Sequence, residues 1–67
     1  MLVVKKLLRQ QAMTQAELSR ATGIHNQDIS RIVNGRIPPY PGHAKRIAKA
    51  LNWQGDPQEL FIEADKE

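Results

Sequence analysis

The sequence predicts an all-α fold, a compact domain of five helices, and three observations support this prediction. Apolar residues recur at helical spacing in successive segments, whereas no segment shows the strict alternation of a half-buried strand. Glycine and proline residues lie between these segments, where helices usually end. The chain has 67 residues, which is enough for one small domain, and we expect residues 1–67 to form that single unit.

The first two predicted helices cover residues 2–12 and residues 14 to about 22. Thr14 and Glu17 form a capping box, in which a hydroxyl oxygen and a carboxylate each accept a backbone N–H at the helix start. Gly23 can adopt the left-handed conformation that ends a helix, so we expect the second helix to stop there.

The third and fourth predicted helices cover about residues 26–34 and 41–51. Gly35 ends the third helix because glycine tolerates a positive φ. Residues 36–42 form a loop, since three prolines within four residues exclude regular backbone pairing. Asn52 is a candidate left-handed terminator of the fourth helix.

A last short helix is predicted from Asp56 onward. Asp56 is a suitable cap, Pro57 fits the first helical turn, and Glu59 follows the cap by three residues. Residues 56–67 are therefore expected to form a short acidic helix and tail.

The apolar residues must supply the stability of the domain, because the chain has no cysteine and so no disulfide. The residues expected in the core are Val4, Leu7, Leu18, Ile24, Ile29, Ile32, Ile47 and Leu51.

Composition and spacing argue against several classes of function. Without cysteine, thiolate metal sites and thiol chemistry are excluded. His25 and His43 do not have metal-ligand spacing, and no catalytic set or glycine-rich phosphate loop is evident, so we expect no enzyme, metal or cofactor. No apolar run approaches the roughly 18–20 residues of a membrane span, and the N-terminus lacks a signal-peptide pattern. We therefore expect a soluble, cytoplasmic protein with no membrane partner.

Charge is distributed unevenly along the chain. Residues 1–49 carry nine lysines and arginines against two acidic residues, a net charge of +7, whereas residues 50–67 carry a net charge of −4. A basic body indicates a polyanionic partner. An ordinary solvated surface with an acidic tail is an equally good explanation of charge alone.

Three segments resemble a known family when they are taken together. They are MTQAELSRATGI at the second helix and turn, DISRIVNGRIPP at the third helix and loop, and HAKRIAKALNW at the fourth helix. In this order and spacing they resemble the lambda-repressor-like, Cro/repressor-type helix-turn-helix domains, from about Val4 to Trp53. The helix-turn-helix core would cover residues 15–34.

The chain departs from this family at several positions. Ala12 replaces a glycine that is usual at the end of the first helix, and Leu8 stands where arginine is common. Ser19 replaces a usual alanine and is small enough for the helix crossing. His25 lies at the usual serine or threonine cap, so Asn26 could take over the capping.

The resemblance implies that the third helix enters the major groove of double-stranded DNA. Asn26, Gln27 and Arg31 occupy positions whose side chains face base edges in the family. Gln27 can pair with adenine and Arg31 with guanine, while Asn26 could read adenine if it does not cap the helix. Asp28 could accept from cytosine, but a favourable position near the helix N-terminus explains it more simply.

The resemblance also implies contacts to the DNA backbone. Gln15 begins the second helix, whose amides can face a phosphate, and Asn34 and Arg36 flank Gly35 at backbone-contact positions. Arg36 could also reach a minor-groove edge. Tyr40 either contacts a phosphate or packs in its loop. Lysines 5, 6, 45 and 49 are interpreted as a solvated face.

The C-terminal apolar residues allow two interpretations. Trp53, Leu60, Phe61 and Ile62 could close the core over the first helix, or form a dimer interface, since members of this family often pair through this end. The function that the resemblance implies is a sequence-specific transcriptional regulator, a small phage-like or bacterial repressor acting as a homodimer. The alternative is an antitoxin or adaptor whose C-terminal segment binds a partner protein, such as a toxin.

Overall fold

The computed structural model describes residues 1–64, which fold into four α-helices followed by one short 3-10 helix. The α-helices are α1 (Val3–Gln10), α2 (Gln15–Thr22), α3 (Asn26–Val33) and α4 (Pro41–Ala50), and the 3-10 helix covers Pro57–Phe61. Within residues 1–64 no strand forms, and one isolated antiparallel bridge joins Leu2 to Glu63. The predicted all-α class is therefore confirmed.

The predicted count of five helices is not confirmed, because the last helical segment is a 3-10 turn of five residues. Asp56 caps it as expected, and its carboxylate accepts the N–H of Gln58 at 3.0 Å. Ile62 follows in an extended conformation, and its carbonyl accepts the N–H of Val3 at 3.1 Å. This pairing with the N-terminus ends the helical segment. The predicted tail at residues 65–67 lies outside the described part of the chain.

The predicted start of α2 is confirmed. Thr14 Oγ1 accepts the N–H of Glu17 at 3.1 Å, and the Glu17 carboxylate accepts the N–H of Thr14 at 2.8 Å. Two N–H groups at the helix start are thereby satisfied reciprocally, which fixes the residue at which α2 begins.

Two hydroxyl groups hold the turn between α2 and α3. Gly23 adopts φ +75°, as the sequence predicts. Thr22 Oγ1 donates to the Leu18 carbonyl at 2.8 Å and accepts the N–H of Ile24 at 3.2 Å, and the Ser19 hydroxyl donates to the Ile24 carbonyl. Both backbone polar groups of the buried Ile24 are therefore bonded to side chains of α2, which sets the direction in which α3 leaves the turn.

Two residues other than glycine adopt the left-handed conformation where helices end. Asn52 has φ +59° after α4, as predicted, and Ala12 has φ +54° after α1. The Ala12 backbone therefore has the conformation that a glycine would favour, although alanine pays a steric cost for it.

The core lies between the four α-helices and the 3-10 helix. All residues expected in the core are buried except Leu7, which is half-buried and packs against it. The structure adds Leu8, Val33, Ala48 and Leu60 to the buried cluster. Leu8, at a position where arginine is common in the resembling family, is therefore a core residue in this chain.

The two ends of the described chain are joined. The N–H of Ala64 donates to the Met1 carbonyl at 2.8 Å, and the amino group of Met1 forms an ion pair with Glu63. Within residues 1–64 no helix combines the length and the apolar character that a membrane span requires.

Candidate nucleic-acid interface

The outer face of α3 is polar and exposed. Ile29, Ile32 and Val33 point into the core, whereas Asn26, Gln27 and Arg31 are exposed. The 3.6-residue period of the helix places Gln27 and Arg31 across the helix from the buried set, whereas Asn26 is exposed at the first position of the helix. All three predicted base-contacting side chains are therefore accessible.

The cap of α3 differs from the sequence expectation. His25 is itself the N-cap, and its Nδ1 accepts the N–H of Gln27 at 3.2 Å. Of the two roles left open for Asn26, capping does not occur, because an imidazole nitrogen accepts the hydrogen bond at the cap position instead. Asn26 is the first residue of the helix, with its side chain exposed.

The start of α2 places Gln15 at the first helical position, half-buried. The capping box uses the N–H groups of Thr14 and Glu17. The first N–H groups of an α-helix have no intrahelical acceptor, so those of residues 15 and 16 are donors that an external anion can bind. Hydrogen bonds from Thr14 hold the pKa of Glu17 below its ordinary value, and nearby Arg20 lowers this pKa further.

The carboxyl end of α3 is held by an amide side chain. Asn34 is the C-cap, and its Nδ2 donates to the Ser30 carbonyl at 2.8 Å. Lys5 of α1 donates from Nζ to Asn34 Oδ1 at 2.9 Å. Asn34, which the sequence predicts to contact the DNA backbone, therefore lies at the surface beside the ammonium group of Lys5. The sequence alone had indicated only a solvated position for Lys5.

The loop after α3 forms one wall of an open groove beside Arg31, one of the predicted base-contacting residues. The groove has a volume of about 420 Å³, and it is lined by Asp28, Arg31, Ile32, Ile37, Pro38, Tyr40 and His43. Tyr40 is 72% exposed and meets the His43 ring edge-on, with 5.4 Å between ring centroids. The exposure of Tyr40 is compatible with a phosphate contact, and its contact with His43 is compatible with packing, so both interpretations of Tyr40 stay predictions. Arg36 is also exposed.

Among residues 1–64, no lysine or arginine side chain forms an ion pair with a carboxylate. The one ion pair within that part of the chain joins the Met1 amino group to Glu63. Uncompensated positive charge at an exposed surface attracts a polyanion.

The four C-terminal apolar residues differ in burial and separate into three groups. Leu60 is 0% exposed and belongs to the core, so it offers no surface to a second chain. Trp53 and Phe61 are half-buried against the core, and the Trp53 indole N–H donates to the Asp56 carbonyl at 3.0 Å. Ile62, at 57%, is the most exposed of the four.

Sequence reasoning missed three roles that the structure shows. Ser19 and Thr22 hold the turn with their hydroxyl groups, and His25 caps α3. The capping role of His25 could have been predicted, since this residue stands at the position where the N-cap of the third helix is expected. Nothing in the sequence pairs Lys5 with Asn34, because the two residues are 29 positions apart.

Comparison with known proteins gives one match. A protein-family model described as helix-turn-helix matches residues 4–54, which contain α1 to α4 complete except for Val3. Searches of curated proteins and of solved structures gave no match.

Proposed function

The chain belongs to the lambda-repressor-like, Cro/C1-type helix-turn-helix family of DNA-binding regulators, and from this premise we propose that it is a sequence-specific transcriptional regulator that binds double-stranded DNA with α3. We propose further that it represses transcription, as a small phage-like or bacterial repressor does. The observation that carries the proposal is the exposed polar face of α3, where Gln27 and Arg31 lie opposite an apolar buried face and Asn26 is exposed at the start of the helix.

The chemistry of this face suits direct reading of bases. α3 is an α-helix of eight residues, and an α-helix with its side chains is about 10–12 Å in diameter, which the major groove can admit. Gln27 in the first turn has an amide that can both donate to and accept from adenine, and Arg31 one turn later can donate twice to guanine. Asn26 can read adenine because capping does not occupy its side chain.

Contacts to the DNA backbone would hold α3 in register. We assign them to Gln15 at the start of α2 and to Asn34, Arg36 and Tyr40 after α3. These residues lie before and after the base-reading face along the chain, and the side chains of Arg36 and Tyr40 are exposed. Such contacts add affinity for any sequence, while the choice of sequence rests on α3.

The experiment is selection of binding sites from a random duplex library, followed by titration of the selected site. Gln27→Ala and Arg31→Ala should each weaken binding by about 1–3 kcal/mol and relax the preference at one base pair. Gln54→Ala and Arg46→Ala remove the same side-chain types from exposed positions outside α3 and should change neither property. Unchanged affinity and base preference in both α3 variants would refute the proposal.

We also propose that the protein binds DNA as a homodimer. The exposed Ile62 and half-buried Phe61 line an apolar groove with Leu2 and Ile37, which is a suitable contact for a second copy. A two-fold dimer would select a symmetric site with half-sites about 34 Å apart. An asymmetric single site from the same library would contradict the dimer without affecting the assignment of α3.

The antitoxin or adaptor alternative uses the same fold and the same groove. A partner protein would then occupy the C-terminal segment, and its co-purification with the chain would favour this function. The polar outer face of α3 supports DNA binding instead, because the core of a protein–protein interface is usually more apolar.

A further inference from the structure

We propose that Lys5 and Asn34 together form a DNA-phosphate site at the carboxyl end of α3, so that α1 takes part in DNA binding. The inference rests on the proposed function and extends its interface to α1. Lys5 is half-buried, unlike the exposed Lys6, Lys45 and Lys49, and its Nζ lies 2.9 Å from Asn34 Oδ1.

Packing of the chain start against α3 produces this pairing. Gly35, with φ +76°, ends α3, and a Cβ on this residue would lie 3.6 Å from Cδ1 of Leu2. The first residues of the chain therefore lie directly against the end of α3, one turn before Lys5 in α1. Lys5, Asn34 and Gly35 border one shallow depression, of about 230 Å³, with Met1, Leu2, Val33 and Glu63.

Free donors remain after the internal hydrogen bonds are counted. An ammonium group has three N–H donors and Lys5 uses one of them on Asn34. The Asn34 amide donates from Nδ2 to the Ser30 carbonyl at 2.8 Å and also lies within 3.5 Å of the Ser30 hydroxyl oxygen, so its N–H groups are directed at Ser30. Asn34 therefore orients the Lys5 ammonium group, whose two remaining N–H groups can bind a phosphate oxygen.

Charge at this position favours the same conclusion. The C-terminus of a helix carries partial negative charge, which repels a phosphate. Lys5 supplies a full positive charge at that point, and Arg36 adds a second two residues after Asn34. Glu63 borders the depression, but its carboxylate is paired with the amino group of Met1.

The test compares Lys5→Gln with Lys6→Gln, two adjacent positions of α1. Lys6 borders a different depression, together with Met1, Arg9 and Ala64, and serves as the matched control. Affinity is measured against salt concentration for the selected site and for a duplex of scrambled sequence. Lys5→Gln should reduce the slope of log affinity against log salt by about 1. Between about 50 and 200 mM salt, wild-type affinity should then fall about threefold more than that of this variant.

Further variants separate charge from packing. Lys5→Arg keeps the charge and the donors, so its slope should equal that of the wild type. Asn34→Asp places a carboxylate at the site and should weaken binding to both duplexes more than Asn34→Ala does. Thermal unfolding of each variant shows whether the domain remains folded.

The outcomes distinguish this inference from the proposed function. Equal slopes for Lys5→Gln and Lys6→Gln, while Arg31→Ala weakens the selected site, would overturn the phosphate site alone. Wild-type affinity of Asn34→Asp, or a Lys5→Arg variant that behaves like Lys5→Gln, would also overturn it. Failure of the wild-type protein to bind either duplex would overturn both proposals.

Discussion

Single residues at the ends of α2 decide how α3 is presented. Thr22 and Ser19 bond both backbone groups of Ile24, and Gly23 reverses the chain between them with φ +75°. A left-handed conformation costs an ordinary L-residue roughly 1–2 kcal/mol, because its Cβ approaches a carbonyl oxygen. The conformation of Gly23 therefore contributes directly to the position of the candidate DNA-binding helix.

The cost of the Gly23 conformation can be measured with a matched pair of variants. A Cβ added at Gly23 or at Gly42 would meet no atom within 4 Å. Of these two glycines, Gly23 has a positive φ and Gly42 does not. Gly23→Ala should lower the free energy of unfolding by about 1 kcal/mol. Gly42→Ala lies within α4 and should raise it by about 0.5–1 kcal/mol.

Urea denaturation followed by fluorescence of the single tryptophan, Trp53, measures both variants. Equal effects of the two substitutions would show that the backbone conformation at Gly23 carries no strain for alanine.

At the scale of the element, α2 depends on its capping box. Thr14 and Glu17 satisfy each other's N–H groups, and Arg20 lies one turn beyond Glu17 in the same helix. Hydrogen bonds to the ionised carboxylate lower the pKa of Glu17 from its ordinary value of 4.5. A group whose pKa is lower in the folded state stabilises the fold above its unfolded pKa and loses this effect as pH falls.

The capping box should therefore make stability depend on pH. Glu17→Gln keeps an acceptor for the N–H of Thr14 and does not titrate. The wild type should exceed this variant in free energy of unfolding by a constant amount well above pH 4.5, and by progressively less as pH falls below that value.

Denaturant titrations of both proteins at a series of pH values measure this difference. Since the other carboxylates are common to the two proteins, their titration cancels in the comparison. A difference that stays constant down to strongly acidic pH would show that Glu17 does not contribute through its charge.

At the scale of the whole molecule, residues beyond the segment that matches the family complete the core and hold the two ends of the described chain together. The match ends at residue 54, yet Leu60 is 0% exposed and part of the core. Backbone hydrogen bonds then join Ile62 to Val3 and Ala64 to Met1. The segment from Pro57 to Ala64 is therefore part of the folded structure.

Shortening the side chain of Leu60 should strongly lower the free energy of unfolding. Leu60→Ala should destabilise the domain by about 2–5 kcal/mol, because a buried leucine leaves a cavity when it is shortened. That is a large share of the few kcal/mol expected for a domain of this size. Ile62→Ala, at a residue that is 57% exposed, should change stability by no more than about 0.5 kcal/mol. Thermal melts of the two variants measure the contrast, and equal melting temperatures would contradict the core assignment of Leu60.

The sequence by itself determined the features that depend on neighbours three or four positions apart. The capping box, the left-handed residues at 23, 35 and 52, and the separation of Ile29 and Ile32 from Gln27 and Arg31 all follow from local hydrogen bonding and helical period. These rules need no partner from elsewhere in the chain, which is why Gln27 and Arg31, two of the predicted base-contacting residues, lie on one exposed face.

Tertiary structure alone decided the features that join distant residues. The pairing of Lys5 with Asn34 spans 29 positions, and the contact of Met1 with Glu63 spans 62. Residues Pro57–Phe61, where a helix was predicted, form a 3-10 turn next to the point at which the two chain ends pair. Leu60 in this turn packs into the core. The physical reason is that such contacts depend on how the helices pack against one another. Helical periodicity and capping patterns concern only neighbouring residues, so they cannot predict these contacts.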